Sequence, residues 1–142
     1  MLKFPIDECL SLDLVEVARD RGFPESNHVV WLGKAGSKDW ELKIFILGGD
    51  WTFVTRNSID FRGLVDTPGT KGQYADVVLH AGLVCINGPA GMTAEVQCAL
   101  FSALLDEIGS AGQLVKEVLE ADLDSEGTEL TIYRYALPEE NQ

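Results

Sequence analysis

Positive charge is scarce in this chain: 11 Lys and Arg stand against 23 Asp and Glu, a net charge of −12. The deficit is uneven. Residues 1–70 hold 8 basic and 11 acidic side chains, while residues 71–142 hold 3 and 12, so the second half alone carries −9. Phosphate contacts supply most non-specific affinity for nucleic acid, so a chain this acidic is a poor general nucleic-acid binder, which counts against a nuclease. Any RNA activity must use a local patch or a basic partner. Cysteine is also sparse. Cys9, Cys85 and Cys98 are odd in number and form no C-x-x-C pair, which argues against a disulfide framework and a zinc site. Each is expected as a reduced, small buried residue. No apolar run approaches the ~20 residues of a membrane span. The longest, Val77 to Ile86, is broken by His80 and Gly82. Acidic Asp7 and Glu8 so early in the chain do not suit a signal peptide, and cytoplasmic residence is the expectation. Repeats, low-complexity segments, a G-x-x-x-x-G-K-[ST] loop, a G-x-G-x-x-G turn and a Ser-His-Asp set are all missing.

What is present is a single domain's worth of alternating elements. The 142 residues suffice for one core and not for two ordinary ones. Leu2 to Ile6 reads as a first strand. Leu10, Leu14, Val17 and Ala18 recur at helical spacing, with Ser11 as cap and Gly22 as stop. Val29 to Leu32 reads as a second strand and Gly33 to Ser37 as a loop. Ser37 caps a helix running from Lys38 to about Leu47. Trp51 to Val54 is a third strand, followed by a short helical turn near Asn57. The stretch Gly63 to Asp76, with Pro68, Gly69 and Gly72, reads as a long mobile loop. Leu83 to Ile86 is a fourth strand. Thr93 opens the strongest helix, carrying Val96, Leu100, Ala103 and Leu104 on one face. Gln113 to Leu119 reads as a further helix and Glu129 to Tyr135 as an edge strand. Such alternation predicts an α/β three-layer fold around a mostly parallel sheet.

In such a sheet the crevice lies at the C-terminal ends of the strands. Asp7 ends the first strand there and Glu8 follows it. Neighbouring carboxylates repel unless a cation sits between them, although a capping role explains one of them. The segment Thr55-Arg56-Asn57-Ser58-Ile59-Asp60-Phe61 follows the third strand. Asp60 and Asn57 suit the first turn and cap of a short helix, or a metal site; Thr55 can bond a carboxylate or simply end its strand. Asp39 and Glu41 fall in the first turn of the second helix, where negative charge is stabilised, or at the mouth of the crevice. Mg²⁺ and Mn²⁺ take oxygen ligands and keep several waters, so a few carboxylates suffice to bind one. Arg56, Arg62, Lys34 and Lys38 are the basic residues nearest these acids, either holding phosphates or forming a solvated rim. His28 and His80 read as structural, and Gly88-Pro89-Ala90-Gly91 as an ordinary turn.

Three segments together resemble the PIN-like proteins, and within them a small group that opens D-E-N-L-S and continues through T-x-D/N-x-x-D-F. Here these are Asp7-Glu8-Cys9-Leu10-Ser11 and Thr55 to Phe61, with Ser37-Lys38-Asp39-Trp40-Glu41-Leu42 similar to the group's S-x-D-x-x-I/L helix start. The likeness covers about residues 1–65, more loosely His80 to Val84, with residues 77–142 completing a single PIN-like domain over 1–142. The resemblance implies a metal-dependent endoribonuclease, commonly the toxin half of a type II toxin–antitoxin pair. It implies that Asp7, Asp39 and Asp60 bind Mg²⁺ or Mn²⁺, supported by Asn57 and Thr55. Arg56, Arg62 and Lys38 would then hold the RNA substrate, with Glu8 and Glu41 as secondary acids. An antitoxin protein would be a partner, and a homodimer stays open. Cys9 departs from the group's Asn, and Asn57 stands where some relatives carry Asp, one negative charge fewer. The alternative is a catalytically inactive PIN-like module that binds a basic protein through its acidic half.

Overall fold

The computed structural model describes residues 1–109 and 112–139. Six strands and four helices follow in the order β1 (Pro5–Ile6), α1 (Asp13–Asp20), β2 (Asn27–His28), α2 (Asp39–Gly48), β3 (Phe53–Thr55), α3 (Ser58–Arg62), β4 (Leu83–Asn87), α4 (Ala94–Ile108), β5 (Glu117–Leu123) and β6 (Leu130–Ala136). One sheet runs β2-β1-β3-β4-β5-β6. Its first five strands are parallel, and β6 pairs antiparallel with β5 as an edge. The α/β class and the mostly parallel sheet are as the alternation predicts.

Period-two alternation along the strands builds two cores. Val54, Val84, Ile86, Leu119 and Ala121 face α1 and α4, which cover them with Leu14, Val15, Leu100 and Leu104. Phe53, Leu83, Cys85 and Val118 face the other way, against Leu42 and Ile46 of α2 and Phe61 of α3. Helices on both faces of the sheet make three layers. Phe4 anchors the first core: it is fully buried and meets the edges of Phe23 and Phe101 at centroid distances of 5.2 and 5.6 Å. Burying such a ring contributes about 1.5–3 kcal/mol. Among the described residues no helix is long and apolar enough to cross a membrane.

Local chemistry sets the element ends. The Ser11 hydroxyl accepts from the Asp13 N–H at 3.1 Å, and Thr93 Oγ1 accepts from the Val96 N–H at 3.2 Å. Pro5 cannot donate a ladder bond, yet it is tolerated between β2 and β3 because it is the first residue of β1.

Four readings of the sequence are corrected. The segment Val29 to Leu32 is a turn, with β2 just before it: Leu32 N–H donates to His28 O and leaves Trp31 half exposed. The helix α2 is capped by the Lys38 N–H donating to Glu41 Oε1 at 2.9 Å, without Ser37. The stretch Gly63 to Asp76 is tied down: Gln73 and Tyr74 N–H donate to Asp60 and Phe61 carbonyls, and the Tyr74 ring is buried. Gln113 to Leu119 is not a helix, because Val118 and Leu119 pair with Leu83 and Val84 in the sheet.

Candidate functional site

The parallel strands bring the ends of β1 and β3 side by side. The Asp7 N–H donates to Val54 O at 2.9 Å, which seats its side chain beside Thr55. Asp7 is buried, at 3% exposure, and its carboxylate is fully oriented. Oδ1 accepts from the Glu8 N–H at 2.8 Å, and Oδ2 accepts from Thr55 Oγ1 at 2.7 Å and from the Cys9 thiol at 3.4 Å. Thr55 Oγ1 in turn accepts from the Asn57 N–H at 3.0 Å. One hydroxyl therefore fixes both the carboxylate and the turn that leads to Asp60. Cys9 is exposed as a residue, against expectation, but the partial burial of its thiol and the Asp7 charge push that thiol up to about 11, so it stays protonated as a donor.

The second acid arrives on α2. Glu8 Oε1 accepts from the Gly36 N–H at 3.0 Å and pins the preceding loop to the end of β1. Asp39 then begins α2 at the same edge of the sheet. Its carboxyl is raised above the usual value by partial burial, then by the charges of Asp60 and Asp7. Three carboxylates from three elements thus share one electrostatic neighbourhood. Asp60 itself is exposed in α3. Asn57 precedes that helix, but its side chain makes no capping bond.

The other expected site residues divide. Glu41 caps its own helix, and Lys38 is exposed at the same cap. Arg56 reaches the Gly88 and Pro89 carbonyls only at 3.4 and 3.3 Å. Arg62 is a correction. It is 4% exposed, and its guanidinium donates to Glu120 twice, Nε to Oε2 at 2.8 Å and Nη2 to Oε1 at 3.0 Å, so it is held away from any phosphate. His28 and His80 are structural. The Nδ1 of each accepts a backbone N–H, from Val30 and Gly82, which leaves Nε2–H to donate to the Leu10 and Leu137 carbonyls.

Among the described residues no three His, Cys, Asp or Glu side chains stand together closely enough to hold a metal ion. The donor set still suits Mg²⁺, which is commonly bound through one or two carboxylates with waters completing the shell. The mutual repulsion felt at Asp39 is of the kind a cation relieves.

A protein from Sinorhizobium fredii, described as "Uncharacterized protein y4eN", is 57% identical over 101 residues, which make up 71% of this chain and 98% of that one. The chain belongs to the y4eN family. No family model matches it, and no solved structure matches it.

In this y4eN-family chain Asp60, but neither Asp7 nor Asp39, borders a cleft of about 750 Å³. Arg56, Asn57 and Asp60 form one wall, and Asn87, Asp122 and Tyr133 another. Beneath lies a buried network that sequence reading missed. Glu120, 5% exposed, accepts from Arg62, from Asn87 Nδ2 at 2.8 Å and from the Tyr135 hydroxyl. Ser58 donates to Asn87 Oδ1. Burial opposes the Glu120 charge, but the bonds from Arg62, Tyr135 and Asn87 and the attraction to Arg62 outweigh it and hold the carboxyl below its usual value. Nothing in the sequence signals the pair, since its members are 58 residues apart.

Proposed function

We propose that the chain is a PIN-like metal-dependent endoribonuclease, the toxin component of a type II toxin–antitoxin pair, using Mg²⁺ or Mn²⁺. The observation that supports the reading is that the Asp39 carboxyl is raised by partial burial and then by the charges of Asp60 and Asp7, so that acids from the end of β1, from α2 and from α3 act on one another. Asp7, oriented by Thr55 and the Glu8 N–H, would hold the ion, with the more exposed Asp39 and Asp60 drawing in toward it on binding. Such an ion supplies an activated water and stabilises the leaving oxygen in phosphodiester hydrolysis. Asn57, with no capping bond, is free to contact the substrate or a metal-bound water. Arg56 and Lys38 remain as groups for RNA phosphates at the rim. An antitoxin protein would cover the same crevice.

The test is cleavage of a purified single-stranded RNA under Mg²⁺ or Mn²⁺ titration, for the wild type, Asp7→Asn and Asp60→Asn. The wild type should cleave and a chelator should stop it. Each variant should lose about 100-fold in rate, because a ligand to the ion carries several kcal/mol of charge stabilisation. Full metal-dependent cleavage by both variants defeats the assignment.

A further inference from the structure

The outer edge of the sheet points to a site that the ribonuclease reading does not use and on which it does not depend. β6 is seven residues long and pairs one-to-one with β5, without a bulge. It contains no proline, and its residues are mostly β-branched or aromatic. The sheet ends at β6. Leu137 N–H donates to Lys116 O, and Asp124 N–H to Glu129 O. Bonded pairs alternate in an antiparallel ladder, so Thr131, Tyr133 and Tyr135 bond to β5. Leu130, Ile132, Arg134 and Ala136 therefore aim their backbone N–H and C=O groups outward, where no described strand meets them. A long, regular edge of this kind is a ready template unless charge, proline or a covering segment blunts it. The single charge on β6, Arg134, is turned back onto Glu117 of β5 at 3.0 Å.

Charge selects the occupant. Residues 117–139 hold seven Asp and Glu and one Arg. Glu120 is occupied by the buried Arg62, and Glu117 by Arg134. Asp122, Glu126 and Glu129 are exposed and form no ion pair among the described residues. Two copies pairing edge to edge would bring two such hairpins together, and like charges oppose that. A strand bearing Lys or Arg at alternate positions gains where a second copy loses. On the side of β6 that carries Thr131 and Tyr133, a basic side chain would lie along the half-exposed Tyr133 ring, toward the Asp122 carboxylate at the cleft mouth.

We infer that β6 is a docking edge for an extended, basic segment of another protein, which adds to the sheet as a seventh strand.

The test uses the full chain, isotope-labelled, with a short peptide of alternating lysine and valine as probe. Amide hydrogen exchange is followed by NMR. In the free protein the amides of Thr131, Tyr133 and Tyr135 should be protected and those of Ile132 and Arg134 should exchange fast. The lysine–valine peptide should slow Ile132 and Arg134 at least about tenfold, the equivalent of one backbone hydrogen bond gained. The same peptide N-methylated throughout keeps its charge but loses its backbone donors, and should give no protection. A glutamate–valine peptide should also give none. Asp122→Lys with Glu129→Lys should weaken the lysine–valine peptide without unfolding the chain. Protection that rises with protein concentration alone would overturn the inference in favour of self-association. Equal binding of the N-methylated peptide, or exchange changes confined to residues away from β6, would overturn it as well.

Discussion

Removing either member of the Arg62–Glu120 pair should destabilise the protein more than a surface charge change can. The two side chains are 5% and 7% exposed, and Glu120 also receives Asn87 and Tyr135. Arg62→Met leaves a buried carboxylate without its cation, and Glu120→Gln leaves a buried guanidinium without its anion. Breaking a buried pair in this way costs about 3–5 kcal/mol, against a typical total stability of about 5–15 kcal/mol. At roughly 3 °C per kcal/mol for a chain of this size, Tm should fall by about 10–15 °C. The double variant should lose less than the sum of the singles, because it leaves no unpaired charge. Acid adds a second signature. In the wild type the Glu120 carboxyl is held below its ordinary 4.5, so its contribution is present above that pH and lost as pH falls through the lower folded value. In Arg62→Met the burial that opposes the charge is no longer offset by the guanidinium. The folded value rises, and protonation then relieves the variant. The gap between the two unfolding curves, followed by circular dichroism, should therefore narrow as pH falls from 7 toward 4. Single variants that lose less than about 1 kcal/mol, the range of exposed pairs, would refute the reasoning, as would strict additivity.

Gly72→Ala should cost about 2 kcal/mol or more by urea unfolding, since Gly72 sits at φ +90° and a Cβ would lie 2.7 Å from Phe61 O and 2.8 Å from Gly63 N; an unchanged midpoint would mean the loop does not fold back on α3. The Asp39 carboxyl, followed by carbon NMR, should titrate above its ordinary 3.8 in the wild type and move down in Asp60→Asn, because the Asp60 charge is one of the influences that raise it. An unmoved Asp39 would separate the two acids.

The elements that the sequence made legible are those whose own residues decide them. Thr93 and the apolar face from Val96 to Leu104 mark α4, and the alternation from Glu129 to Tyr135 marks β6, because a cap or a two-sided surface is a local property. Val118 and Leu119 are different. Their spacing with Leu114 suits a helix, and only the lateral partners β4 and β6 make the segment a strand. At the site, Asp7 and Thr55 stood out because strand ends are visible, and the bond between them follows from adjacent parallel strands. Arg62 was misread because a solvated arginine and a buried one look alike until Glu120 is placed against it. Asn87 and Tyr135 were missed for the same reason, since each matters only through that carboxylate.

The first core has a consequence for synthesis on the ribosome. The face of α1 formed by Leu14, Val15 and Ala18 is covered by Leu100, Phe101 and Leu104, and β1 lies inside the sheet, not at its rim. The segment bearing Asp7 therefore emerges long before the residues that shield it. While α4 is still in the exit tunnel, the nascent half presents an apolar surface and an incomplete crevice. Any chaperone or partner that recognises the unfinished chain should act within that interval, and a truncation that removes α4 and β5 should leave the first half without a stable fold.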